Sequence, residues 1–284
     1  MRAVIVFCEG HHDIVFATRS LGVLADAVWH GEPIAELPSP FGPVQDPRNP
    51  RKPKAESVIA RRYANRSLED CSLQGAAHPP LPSFERIVEL KHTAVPTLYV
   101  FVRSHGDNAA NASMALLSDL GAVLGYGVVV RELAAAFLFD ADDLGVEHRE
   151  NDFAMRHSAI LETGRAPRHG QWQVGTQHPI GLYIFHDAVS KTGTLEDSLA
   201  PLVEAEWPAR WAGAEAYLAQ HEMPDDPVCR KRAERLKAQL GITGQFRFPG
   251  DPMTQLIGRD GLPGAHFNGA ASQALVDFLT AVPW

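Results

Sequence analysis

Cysteine is scarce: Cys8, Cys71 and Cys229 are the only three in 284 residues, and no CxxC pair occurs. An odd, widely spaced set excludes a disulfide framework, and the missing pairs argue against a thiolate zinc site. The composition therefore suits a reducing cytoplasmic setting. Long apolar runs are also absent. No stretch of 18 apolar residues exists, and the five at 3–7 are too short for a secretory signal. No internal repeat is visible. Positive charge is in deficit, with 26 Lys and Arg against 34 Asp and Glu. A net charge of −8 excludes a chain that binds nucleic acid over its whole surface, though not a local basic patch. What remains is an ordinary globular mixture, 45% hydrophobic and 21% charged, long enough to bury a core without staples.

The organisation is read from hydrophobic pattern. Residues 3–7 form a β-branched apolar run, punctuated by Glu9-Gly10, and from Asp13 onward apolar residues recur at helical spacing. Strand, tight turn and helix in that order open a parallel α/β sheet. Further strands are expected at 97–102, 134–139 and 180–185. Helices are expected at 84–92, 108–124, 143–162, 231–240 and 270–279, with Gly241 ending the fourth. Alternating strands and helices predict a mainly parallel sheet. Trp207 and Trp211, four apart on a predicted helix, read as core or interface residues.

Residues 31–83 differ from the rest. They hold 10 of the 21 prolines and read as a long insertion or arm. Within it, 46–66 carries Arg48, Arg51, Lys52, Lys54, Arg61, Arg62 and Arg66 against Asp46 and Glu56. That segment has a charge of +5 while the remaining chain has −13. Two readings stay open, a solvated loop and a phosphate-binding arm for DNA or RNA.

Two acidic clusters follow apolar strands: Glu9 and Asp13 after 3–7, and Asp140, Asp142 and Asp143 after 134–139. Ligands of open parallel sheets bind at the carboxyl ends of strands. In an extended segment Asp140 and Asp142 point the same way, and a divalent cation relieves their repulsion. Each cluster alone is also ordinary turn or helix-cap chemistry. Other constellations are weaker. The histidines, including His11, His12, His105, His148, His157, His169, His178 and His186, show no metal-ligand spacing. Ser104, His105 and Asp107 are too close in sequence for a catalytic triad and read as a loop entering a helix.

An apolar strand, then E-G-x-x-D, a helix, and later an apolar strand ending in D-x-D resembles the TOPRIM family. That domain is shared by topoisomerases, bacterial primases, recombination proteins and OLD-type nucleases. The motifs here are Glu9-Gly10-His11-His12-Asp13 and Asp140-Ala141-Asp142, and segment 181–204 is similar to the third piece of OLD-like and stand-alone TOPRIM proteins. The motifs lie about 125 residues apart, more than a compact TOPRIM core needs, and the proline-rich segment occupies much of that gap. No ATPase P-loop, zinc-ribbon cysteines or strand-passage tyrosine context accompanies them.

The resemblance implies an α/β fold with a TOPRIM-like, mainly parallel sheet flanked by helices, over residues 1–204. The basic insertion lies within it, and a helical C-terminal extension, 205–284, packs on it. It implies a Mg²⁺- or Mn²⁺-dependent nuclease or related phosphodiester-cleaving enzyme. Glu9, Asp13, Asp140, Asp142 and Glu196 would serve the metals, with Glu196 and Asp197 near a second one. Glu9 is a ligand or general acid/base, and Lys191 balances charge on the phosphate. The implied partners are nucleic acid, an ATPase or sensor protein, and a second copy of the chain. The rival expectation is a non-catalytic module using the same acidic site to bind metal, nucleotide or a protein.

Overall fold

The computed structural model describes residues 1–30, 38–39, 41–42, 44–46, 49–55, 83–91, 94–104, 110–124, 129–162, 165–221, 223–225, 231–250, 253–258 and 260–284. Seven strands make the main sheet: β1 (Arg2–Cys8), β2 (Val28–Trp29), β5 (Ser83–Leu90), β6 (Thr97–Arg103), β7 (Glu132–Asp140), β8 (Gln171–Val174) and β9 (Pro179–Phe185). Their order is β2-β5-β6-β1-β7-β9-β8. The four central strands, β6-β1-β7-β9, are parallel; β2, β5 and β8 complete the edges in antiparallel pairings. β3 (Val44–Asp46) and β4 (Asn49–Ala55) pair separately as an antiparallel ribbon.

The central strands are apolar on both faces because both faces are covered. Val4, Val6 and Cys8 point to one side with Ala134, Ala136 and Leu138. There they meet α1 (His11–Leu24), α4 (Leu195–Glu206) and α8 (Ala270–Thr280) through Ile14, Phe16, Leu199, Val203, Leu275 and Leu279. Ala3, Ile5, Phe7, Ala135 and Phe137 point to the other side. They meet α2 (Ala110–Leu124) and α3 (Val146–Arg156) through Leu117, Leu120 and Phe153. The period of two in each strand therefore sorts one apolar run into two cores.

The C-terminal helices are part of the first core. These are α5 (Pro208–His221), α6 (Arg232–Gln245), α7 (Thr254–Ile257) and α8. The Tyr99 hydroxyl donates to the Leu279 carbonyl at 3.0 Å, and the Trp172 ring N–H donates to the Phe278 carbonyl at 2.8 Å. Trp211 is buried, and Trp207 packs against the same cluster.

Three expectations need correction. Residues 84–92 are not a helix: β5 covers 83–90 and pairs antiparallel with β6. Its apolar residues sit at helical intervals, but Ile87 enters one core while Val88 and Leu90 enter the other. Second, Gly241 does not end the basic helix. α6 runs on to Gln245, with Leu240 and Thr243 fully buried, so packing outweighs the glycine cost of about 1 kcal/mol. Third, the helix expected at 143–162 is shorter, Val146–Arg156, followed by a 3-10 turn at Ser158–Ile160.

Candidate functional site

The parallel strands β1 and β7 end side by side, and their ends carry Glu9 and Asp140. The Asp140 backbone N–H donates to Glu9 Oε2 at 3.0 Å. Two helices begin at the same edge. Gly10 caps α1 and donates its N–H to Asp13 Oδ2 at 2.8 Å, which holds Asp13 in the first turn. Thr194 caps α4, and the Leu195 N–H donates to Asp140 Oδ1 at 2.9 Å. Both helices present the positive ends of their dipoles to this edge, which favours carboxylates there.

Four carboxylates gather in this way: Glu9, Asp13, Asp140 and Glu196. Asp13 is 5% exposed and Glu196 3%. Burial, reinforced by Glu9 and Glu196, pushes the Asp13 carboxyl up to about 8 against the opposing pull of the Gly10 N–H. Asp140 is held well above its ordinary value by burial, then by Asp13, Glu196 and Glu9. Glu196 Oε2 is buried and has no hydrogen-bond partner.

Two cations answer this charge. Arg149 of α3 donates from Nε to the Asp140 carbonyl at 2.9 Å and from a terminal nitrogen to Asp142 Oδ2 at 2.7 Å. The same nitrogen is 3.7 Å from Glu9 Oε1, and the guanidinium lies 5.6 Å from the centre of the Phe139 ring. Lys237 of α6 is the second. Burial lowers its affinity for the proton, but Glu196, Glu234, Asp140 and Asp142 together hold it above its ordinary value. His12, beside Glu196 and Lys237, is held lower than usual, chiefly by burial.

The remaining expected residues lie elsewhere. Asp142 does not extend parallel to Asp140. Its φ is +51°, because the chain turns there to form a two-way backbone bridge with Gly193, both N–H···O distances 2.8 Å. Its side chain is 56% exposed and faces Arg149. Lys191 is exposed in the loop before α4 and serves through its backbone, its N–H donating to Asp187 and its carbonyl accepting from Val146. Its charge acts on His169. Asp197 closes the Thr194 cap and pairs with Arg232 at 2.7 Å.

Arg51, Lys52 and Lys54 fall on β4, whose side chains lie outside the described residues, as do Arg48, Arg61, Arg62 and Arg66. Sequence reasoning missed Arg149 and Lys237. Lys237 acts from a helix 41 positions after Glu196, whereas Arg149 lies only nine residues after Asp140, on the helix that follows the second acidic cluster.

Among the described residues no three His, Cys, Asp or Glu side chains form a preassembled metal-binding group. The donors are nevertheless of the kind a hard divalent cation takes: all carboxylate oxygen, mutually repelling, with Asp13 and Glu196 buried and Glu196 Oε2 unpartnered.

No protein-family model and no curated protein matches the chain. Among solved structures, the crystal structure of a hypothetical protein from Pyrococcus horikoshii OT3 is similar, at 14% identity and a TM-score of 0.51. The match covers 99% of this chain and 95% of that one. At that identity the likeness concerns the fold: an α/β arrangement with a mixed seven-stranded sheet flanked by helices.

Proposed function

We propose that the chain is a TOPRIM-like, divalent-metal-dependent nuclease or related phosphodiester-cleaving enzyme. The observation that carries this reading is the convergence of Glu9, Asp13, Asp140 and Glu196 at the ends of two adjacent parallel strands and two helices, with one Glu196 oxygen unpartnered. Burying Asp13 and Glu196 beside the half-buried Glu9 and Asp140 costs stability, and a fold keeps such an arrangement where a cation uses it.

Glu9, Asp140 and Glu196 would hold Mg²⁺ or Mn²⁺, with Asp13 supporting Gly10 and the turn that carries Glu9. The bound metal supplies Lewis-acid activation of water and of the phosphate. The chain's own residues do the rest. The Leu195 N–H fixes one Asp140 oxygen, and the Asp140 N–H fixes one Glu9 oxygen. Arg149 prevents Glu9 and Asp142 from repelling each other.

A second reading, a non-catalytic metal-, nucleotide- or partner-binding module, draws on Arg149. Its guanidinium already neutralises part of the acidic site. Supercoiled plasmid incubated with the protein in Mn²⁺ or Mg²⁺ separates the two. Nicking or degradation that needs both the metal and Asp140, and is absent in EDTA and in Asp140→Ala, supports the nuclease. An intact plasmid, or cleavage unaffected by Asp140→Ala, contradicts it.

A further inference from the structure

The TOPRIM resemblance implies two metals, with Asp142 among their ligands and Asp197 near the second. The fold commits both of these carboxylates elsewhere. Asp142 is turned out of line by its own backbone: its φ of +51° lies in the left-handed region that few residues other than glycine adopt, and the two-way bridge to Gly193 holds it there. Its Oδ2 accepts from a terminal nitrogen of Arg149 at 2.7 Å. Asp197 closes the α4 cap. One of its oxygens accepts from the Thr194 N–H at 2.9 Å, and the other pairs with Arg232 at 2.7 Å.

Arg149 is itself fixed. The Gly145 N–H donates to the Ala141 carbonyl and the Val146 N–H to the Lys191 carbonyl, so the first turn of α3 is tied to the end of β7 and to the loop before α4. The Arg149 Nε donates to the Asp140 carbonyl at 2.9 Å, and the residue is only 9% exposed. The terminal nitrogen that holds Asp142 also lies 3.7 Å from Glu9 Oε1. A positive charge thus already stands between Glu9, a carboxylate of the cluster, and Asp142, the expected ligand beside it. A guanidinium does not lose its proton, and it repels a divalent ion brought into the same gap.

We infer that the site takes a single divalent cation, held by Glu9, Asp140 and Glu196, and that Arg149 is a permanent positive charge in place of a second. The inference rests on the metal reading proposed above. It adds to that reading a metal count and a role for Arg149, and it removes Asp142 from the ligand set. One ion suits the carboxylates that remain, because Mg²⁺ is ordinarily held by one or two carboxylates with water and substrate completing its shell. A second ion would draw on Asp142 or Asp197, which Arg149 and Arg232 already neutralise.

The test counts Mn²⁺ on the metal-stripped full chain by equilibrium dialysis with metal analysis, and reads coupling between bound ions by electron paramagnetic resonance. Wild type is expected to bind one Mn²⁺ per chain, without spin coupling. Asp142→Asn changes an exposed side chain and is expected to keep that count, with an affinity well short of the roughly tenfold loss that removing a ligand or its support produces. Arg149→Met is expected to bind a second, weaker Mn²⁺ through Glu9 and Asp142, and Arg149→Met/Asp142→Asn to return to one. Should Arg149→Met unfold, the wild-type count and Asp142→Asn decide the matter. Two coupled ions on wild type, or a loss of about tenfold or more in Asp142→Asn, overturn the single-ion assignment and leave the metal reading standing. A folded Arg149→Met that binds only one ion overturns the role given to Arg149. No Mn²⁺ on any of these proteins overturns the metal reading itself, and the inference with it.

Discussion

Glu9 and Asp140 are 131 positions apart, yet the backbone N–H of one donates to the carboxylate of the other at 3.0 Å. The contact follows from register. β1 and β7 are parallel neighbours with Cys8 opposite Leu138, so a carboxylate one residue past β1 meets the last residue of β7.

Asp140→Asn should separate stability from activity. The ionised carboxylate is disfavoured by burial and by Asp13, Glu196 and Glu9. A raised carboxyl pKa weakens folding as pH rises above the unfolded value. The amide keeps an acceptor for the Leu195 N–H and removes that charge. In EDTA at pH 8 the variant should melt higher than wild type, the gain shrinking as pH falls toward 4, while metal-dependent cleavage falls by about 100-fold or more. Calorimetry across pH, alongside the plasmid assay, checks both.

Arg149→Met should do the reverse. Losing a buried guanidinium leaves Glu9 and the Asp140 carbonyl short of a partner, at a cost of about 3 kcal/mol. Mn²⁺ should recover more stability in this variant than in wild type, since the metal then supplies the missing positive charge. Urea midpoints with and without Mn²⁺ measure the difference.

Gly193→Ala should be destabilising by about 2 kcal/mol. Gly193 has φ +102°, and an added Cβ would lie 2.3 Å from Asp197 Oδ2. The change strains the bridge to Asp142 and the cap of α4 together. A shift in the denaturation midpoint with unchanged slope is the expected result.

His157 should make the fold acid-sensitive. It stacks on Phe153 at 4.3 Å and against Phe137 at 4.8 Å, and burial pushes its pKa down to about 4. The unfolded chain takes up the proton near pH 6.5 and the native chain does not. The stability present above pH 6.5 is therefore lost as pH falls from 6.5 to about 4, with a slope of up to about 1.4 kcal/mol per pH unit. His157→Phe should make that part of the stability–pH curve shallower, the remaining slope coming from His169, which burial also pushes down to about 4.

Much of this was legible in the sequence where a pattern is local. The apolar runs at 3–7 and 134–139 mark β1 and β7, and the acids that follow them mark the site edge. Glu196 was named only through the resemblance of segment 181–204 to the third piece of OLD-like and stand-alone TOPRIM proteins. Patterns that depend on the tertiary setting misled. Strand β5 has apolar residues at helical intervals because it is buried on both faces, which hides the period of two. Asp142 follows Asp140 by two, but a left-handed turn at Asp142 itself sends its carboxylate to Arg149. Lys191 sits next to the site in sequence, whereas Lys237 reaches it from α6, 41 positions after Glu196. No local signal reports an electrostatic influence over that span.

The most direct test of the central claim is a Mn²⁺ titration of the metal-stripped protein, comparing wild type with Glu196→Gln. Glu196 Oε2 is a buried oxygen of the cluster without a hydrogen-bond partner, so its loss leaves the Asp140 and Glu9 hydrogen bonds in place. Saturable binding that raises the melting temperature of wild type and is weakened at least tenfold in Glu196→Gln is the predicted result. No binding by wild type, or equal binding by both proteins, would contradict a metal held by these carboxylates.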